Sequence, residues 1–312
     1  MKKLTFELQH NIKEEFYRLI RAQTDFILEC IEDDEMELNE TIHEVRKSLK
    51  KIRAVLRLYR DSIGFSTYHR MNVFYRDLGR KISTPRDKHV LLQFGKKILE
   101  EAPEKIRDQN AEEMIAALEK QRDNSLAEVK KNKDLETIKE GLKSAIPDES
   151  PVIKNEGFDV IKGGVKRMYK QSRNYMKSIL KERDDTTIHD FRKRVKYLRY
   201  QMSILRPVFP EMIRAYRRIL KNISDEIGLY RDYTLFHNIL KDNDFYNLNE
   251  EQHTFITEYI EAEKDQALIR ALEPSKKFFF QKPKSFVKEL SRYYRIKTSM
   301  NNTYVDKPQT NK

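Results

Sequence analysis

The chain holds a single cysteine, Cys30, among its 312 residues. That excludes a disulfide framework and any cysteine-based metal cluster. Glycine and proline are almost as scarce, at 8 and 9 residues, so long uninterrupted elements are expected. No apolar run reaches membrane-spanning length, and the start (Met1-Lys2-Lys3-Leu4-Thr5-Phe6-Glu7) lacks the apolar core of a secretory leader, so a cytoplasmic location is expected. What the chain has in quantity is charge. Charged residues make up 36% and hydrophobic ones 38%, too polar a balance for a thick β-core but suited to amphipathic helices with one apolar stripe each. Sixteen Phe and sixteen Tyr supply large burial units and argue against general disorder. Lys and Arg total 62 against 50 acids, a net charge of +12 that points to a polyanionic partner.

Most prolines fall between periodic segments, where they end helices. The spacing predicts helices near 5–31, 42–61, 67–82 and 85–101, the last opening on Pro85 after an N-cap at Thr84, and charged helical sequence over 110–145. Pro147-Asp148-Glu149-Ser150-Pro151 reads as the boundary between two parts, 1–148 and 152–298. Further helices are expected near 157–183, 188–206, 210–227, 230–242, 249–272 and 284–297. Residues 299–312 read as a frayed tail. Phe278-Phe279-Phe280 fits an extended stretch or a buried connector. The fold class is therefore all-α, with two similar bundles of about four helices each.

An internal repeat carries the functional argument. Residues 41–53 read TIHEVRKSLKKIR and residues 187–199 read TIHDFRKRVKYLR, with seven identities at an offset of 146. A second echo follows at an offset of 145, where Ile82-Ser83-Thr84-Pro85-Arg86-Asp87 aligns with Ile227-Gly228-Leu229-Tyr230-Arg231-Asp232. Each repeated segment looks like a helix opened by a capping box, Thr41 with Glu44 and Thr187 with Asp190. At about 100° per residue, His43, Arg46, Lys47, Lys50 and Arg57 share one face, with Arg53 beside them. Val45, Leu49, Ile52 and Leu56 occupy another. In the second copy His189, Arg192, Lys193, Lys196 and Arg199 form the stripe, while Ile188, Phe191, Val195, Leu198 and Met202 face a core. Like charges four apart repel, and residues 41–60 hold seven Lys/Arg but one acid, Glu44. An external polyanion is the natural partner of such a face. Residues 100–149, with 14 acids and 9 cations, place the positive excess elsewhere.

Blander readings stand beside this one. A basic helix face is often only solvated, and the two histidines, expected in the first helical turn, either cap and pack or meet an anion at the helix terminus. The helix dipole and neighbouring cations should oppose their protonation in the free protein. Metal binding is disfavoured, since no histidine has a second ligand at suitable spacing. Arg86-Asp87 and Arg231-Asp232 fit either phosphate-binding arginines or internal salt bridges. Lys51, Arg76, Arg80, Arg217, Arg218 and Lys221 are candidate extensions of the basic surface. The stretch from Lys276 to Lys297, basic and aromatic, fits membrane or nucleic-acid contact or a docked amphipathic helix.

The doubled His-x-x-Arg-Lys-x-x-Lys-x-x-Arg helix, each followed by an Arg-Asp helix start, resembles the CHAD family, the conserved histidine α-helical domain, over roughly residues 5–298. The resemblance implies paired helical bundles related by pseudo-two-fold symmetry and inorganic polyphosphate bound, without catalysis or cofactor, in a basic channel lined by the histidine helices. It assigns that role to His43, Arg46, Lys47, Lys50, Arg53, His189, Arg192, Lys193, Lys196 and Arg199. Two positions depart between the halves: Tyr197 stands opposite Lys51, and Ser83 opposite Gly228. The start of the chain shows no Glu-x-Glu-x-Lys signature of the triphosphate-tunnel domain that many relatives carry. Polyphosphate is a row of charged oxygens without bases, so Arg forks and Lys ammonium groups suit it with no stacking platform. A nucleic-acid binder shares the charge argument and is the alternative. An enzyme acting on phosphate or metal substrates ranks behind both, since no glycine-rich phosphate loop or carboxylate cluster is evident. The expected location is the cytoplasm, with association to polyphosphate granules. Oligomeric state is not readable from the sequence.

Overall fold

A computed structural model describes residues 4–144, 153–242 and 248–305. Among them lie eleven α-helices and no strand: α1 (Glu14–Glu32), α2 (Leu38–Ile63), α3 (Phe65–Lys81), α4 (Ser83–Glu101), α5 (Gln109–Lys131), α6 (Asp134–Ser144), α7 (Asp159–Ile179), α8 (Asp185–Ile204), α9 (Pro210–Asp242), α10 (Glu250–Phe278) and α11 (Pro283–Val305). Single 3-10 turns precede α5 and α9. The all-α expectation holds. The boundary at 147–151 lies outside the described residues.

Several helix ends differ from the spacing-based expectation, each for a local reason. Helix α1 starts at Glu14, because the carboxylate of Glu15 is buried and accepts bonds from Glu7 N (2.9 Å) and the Arg18 guanidinium (2.6 Å). Arg18 also reaches Thr5 O (2.5 Å), which ties residues 5–7 down as non-helical chain. The helical sequence expected over 110–145 forms α5 and α6, which part at Lys133, where φ is +51°. The pair expected at 210–227 and 230–242 is one continuous helix, since Gly228 is tolerated in mid-helix. Pro85 lies inside the first turn of α4, not at its first position, and its missing N–H is harmless there. Helix α11 continues to Val305, into the stretch expected to fray. Phe279 is fully buried and Phe280 is 71% exposed, so the Phe278–Phe280 segment is a turn with one ring outside.

Helix α2 is the central strut, packed on α1, α3, α7 and α8. Its Tyr59 hydroxyl donates to Ile12 O (2.7 Å) at zero exposure. Helix α7 crosses it at very short range through Gly163 and Gly164. A Cβ on Gly164 would sit 2.1 Å from Leu58 O, so only glycine permits this crossing. Helix α11 docks through Phe286, Val287 and Leu290, and Phe286 stacks on Tyr169 at 4.1 Å.

Among the described residues the apolar side chains form two cores. The larger joins α1, α2, α3, α6, α7, α8, the front of α9, the back of α10 and α11. The smaller joins Leu92, Phe94 and Ile98 of α4 and Met114 of α5 to Phe236 of α9 and Ile256 of α10. Each core draws on both sides of residue 150, and α9 runs through both.

Candidate functional site

The two repeated helices come together. Two adjoining cavities, about 480 and 330 Å³, share Arg46 and Lys50 of α2, Arg192, Lys196 and Tyr200 of α8, and Arg231 of α9. The larger continues past Arg53, Arg57, Arg76 and Arg80 toward His189 and Lys193. The smaller continues past His43, Lys47, Arg86 and Asp87 toward Arg199 and Asp232. The start of each stripe thus shares a chamber with the end of the other, so α2 and α8 pass in opposite senses with their basic faces on one channel. Basic side chains outnumber the three lining acids, Asp87, Asp190 and Asp232, several-fold.

The rim cations are largely neutralised. Lys47 pairs with Glu44 (2.7 Å), Lys193 with Asp190 (2.9 Å), and Arg76 and Arg80 with Asp77 (2.8 and 3.3 Å). Arg53 and Arg57 both donate to Asn72 Oδ1 (3.1 and 2.8 Å), and the Arg57 guanidinium lies over Tyr197 at 4.0 Å. The waist differs. Lys50, Lys196, Arg192, Arg86 and Arg231 have no hydrogen-bond or ion-pair partner among the described residues. The buried Nε of Arg192 and of Arg46 is also unbonded, although Arg46 reaches Gly79 O (3.2 Å) and lies 3.8 Å from Asp87. An unpaired buried charge is costly, and in a lysine the cost appears as a lowered pKa. Burial, then Arg46 and Arg192, push Lys50 down to about 8. Burial, then Arg192 and Lys50, push Lys196 down to about 6. Burial also raises Asp232 above its ordinary range, against the pull of Arg192 and Arg231.

Both histidines are displaced from the expected first turn. Helix α2 begins at Leu38, and Thr41 lies inside it with its hydroxyl donating to Glu37 O (3.2 Å). Helix α8 is capped by Asp184, whose carboxylate accepts from Thr187 N (2.7 Å). Neither expected capping box forms, and His43 and His189 sit past the free N–H groups of their helices. Both remain at the channel. Burial, then Lys193 and Arg231, lower His189 to about 4, and burial, then Arg86, lowers His43. The cations act in the expected direction, with burial the larger cause.

Every residue of the two stripes lines one chamber or the other, as do Arg76, Arg80, Arg86 and Arg231. Neither Arg-Asp doublet forms an internal ion pair; Asp87 leans to Arg46 instead. Four candidates lie elsewhere. Lys51 turns to α1 and sits over the Phe26 ring (5.8 Å) at 5% exposure, because its position belongs to the apolar arc of α2. Arg217 donates to Ser203 Oγ (2.8 Å), and Lys221 pairs with Asp225 (2.7 Å). Arg218 is exposed and lines neither chamber. Sequence reasoning missed Arg194, Asn72, Tyr75 and the supporting role of Gly228. A Cβ on Gly228 would lie 3.1 Å from Arg192 Nη2, so the bare helix surface there gives that guanidinium its room. Among the described residues no three His, Cys, Asp or Glu side chains converge as a metal site.

The CHAD domain family model matches residues 18–241. The chain belongs to the CHAD domain family. Two solved structures share the fold. The CHAD domain from the plant Ricinus communis superposes with a TM-score of 0.61 at 17% identity, over 89% of this chain and 95% of that one. PptA from Streptomyces chartreusis gives 0.62 at 10% identity, over 86% and 100%. No curated protein matches the chain. Within this CHAD domain the family's fold places both histidine helices on one channel, and no described helix is long and apolar enough to cross a membrane.

Proposed function

We propose that this CHAD protein binds inorganic polyphosphate along the channel between α2 and α8, as a cytoplasmic binding module without a catalytic step. The observation that carries the reading is the waist, where Arg192, Lys50 and Lys196 are sequestered together with no hydrogen-bond or ion-pair partner among the described residues and few acids nearby, Asp87 and Asp232. A polymer with one charge per phosphate supplies the missing anions at every step, from oxygens that accept any N–H geometry. The helices hold the donors in place beforehand, so little ordering accompanies binding. The site residues are His43, Arg46, Lys47, Lys50, Arg53 and Arg57 on α2 and His189, Arg192, Lys193, Lys196 and Arg199 on α8. Arg86 and Arg231 join at the waist, and Arg76, Arg80 and Arg194 at the wider mouth. Affinity for granules of the polymer follows from the same chemistry.

The deciding experiment is competition. Protein loaded with labelled long-chain polyphosphate is challenged with unlabelled polyphosphate, single-stranded DNA, RNA and heparin at matched charge. Polyphosphate is expected to displace the label at far lower concentration than the other three. Equal displacement by all four would reduce the interaction to general charge attraction.

A further inference from the structure

At the wider mouth the cations do not simply end. Tyr197 on the channel wall carries the Arg57 guanidinium at 4.0 Å, and Arg57 also meets the Tyr68 ring at 6.0 Å. Arg60 lies over both Tyr68 and Phe65, 5.1 Å from each centroid. Phe65 in turn approaches Tyr68 (6.4 Å) and His69 (5.7 Å, 32° between planes). The result is an alternating ladder of rings and guanidinium groups leading from the channel wall to the surface. Phe65 ends it at 62% exposure, with its ring open to solvent. The nearest acid in sequence, Asp61, is occupied by Arg167.

An exposed ring backed by the Arg60 guanidinium is a surface for stacking a planar heterocycle, and its connection to a phosphate-seeking channel specifies what else that ligand carries. We infer that the Phe65 end of this ladder seats the base of a nucleoside oligophosphate whose phosphate chain enters the wider mouth at Arg57. Two steps, 6.0 and 6.4 Å, link the Arg57 guanidinium through Tyr68 to the Phe65 ring. That is the scale on which a ribose and the first phosphates separate a base from its terminal phosphate. The inference rests on the channel being a phosphate-chain site, and adds to it a preference for chains ending in a base.

The test compares ATP with tripolyphosphate, which has three phosphates but no base, by calorimetric titration without divalent cations. Parent protein is expected to bind ATP several-fold more tightly than tripolyphosphate, although ATP carries less charge. Phe65→Ala should weaken ATP about tenfold, in line with the loss of one stacked base, and leave tripolyphosphate unchanged. Phe65→Trp should keep or improve ATP binding. Phe65 is exposed, and circular dichroism confirms that each variant is folded. Tripolyphosphate binding with no ATP preference and no effect of Phe65→Ala overturns the base site while the channel stands. Failure of both ligands and of long-chain polyphosphate to bind overturns the channel as well. If an oligoadenylate without a terminal oligophosphate binds as tightly as ATP, with the same Phe65 dependence, the ladder belongs to single-stranded nucleic acid and the inference fails.

Discussion

The α3–α4 joint and the uninterrupted α9 occupy equivalent places in the repeat, yet one is bent and the other straight. In the first half the helix breaks at Ile82 (φ −108°, ψ 27°); in the second the chain runs through Ile227 and Gly228 without a break. The bent side holds its arginines. Arg46 is bonded to Gly79 O, and Arg53 and Arg57 to Asn72. On the straight side Arg192 rests against Gly228 with no bond among the described residues. One duplicated motif has therefore acquired two electrostatic characters. In the first half Arg46, Arg53 and Arg57 are donors already held in place, whereas Arg192 of the second is held by no bond among the described residues.

The largest expected effect comes from removing that charge. Arg192→Ala should weaken polyphosphate binding about 100-fold, within the range for losing one member of a desolvated charge pair, against about tenfold for Arg46→Ala. Titration at fixed ionic strength measures both, and equal losses would erase the distinction between the halves. Lys196→Met sharpens it further. It should weaken binding and also stabilise the free protein by about 1–4 kcal/mol, as replacement of buried charges by apolar groups often does. With its pKa lowered to about 6, Lys196 costs the fold stability as pH falls from its ordinary range near 10.5 toward 6. The methionine variant escapes that cost. Lys50→Met should show the same pattern more weakly, since Lys50 falls only to about 8. Thermal melts with and without polymer separate the two.

A third measurement is pH dependence. A bound polyanion favours the ammonium forms and raises both lysine pKa values, so binding takes up protons. Affinity at fixed ionic strength should rise as pH falls through the alkaline range to about 6, the free value of Lys196, and any further rise below that belongs to His43 and His189, both lowered in the free protein. A flat profile from pH 9 to 6 would mean that both lysines stay charged in the empty channel. Salt dependence should be steep, with a log–log slope near −7 for about ten contacts on single-strand values.

The smallest effects test the supporting geometry. Gly228→Ala should push the Arg192 guanidinium aside and cost about three- to tenfold in affinity, because a misplaced charged donor forfeits part of a charge-assisted bond. Gly79→Ala, whose Cβ would meet Leu49 at an ordinary 3.6 Å, should bind like the parent. A parental Gly228→Ala variant would show that Arg192 does not need the space.

The sequence revealed these features unevenly, and the reasons are physical. Helices and stripes follow from periodicity, which needs no partner, so α2 and α8 and their basic faces were legible. The exact helix starts were not: Asp184 caps α8 ahead of Thr187, α2 opens at Leu38 ahead of Thr41, and the Glu15–Arg18 cluster keeps residues 5–7 out of α1. The repeat also hid what the halves do not share. Arg194 stands opposite Ser48, so the alignment did not mark it, although it lines the wider mouth. Arg57 and Asn72 stand opposite Ser203 and Arg217, and each pair is hydrogen-bonded at 2.8 Å. The contact survives with donor and acceptor exchanged between helices. A search for recurring residues cannot detect a recurring bond.

The smaller core has a consequence for how the chain is assembled and how it could have arisen. It joins α4 and α5 to the back of α9 and the front of α10, so neither side of residue 150 can close it unaided. A fragment ending near 148 would leave Leu92, Phe94 and Met114 facing solvent, and the complementary fragment would do the same to Phe236 and Ile256. Co-translational folding must therefore wait until α9 and α10 have left the ribosome, and the larger core, which needs α7 and α8, imposes the same delay. The segments on either side of residue 150 share both cores, so a cut there opens apolar faces on each fragment.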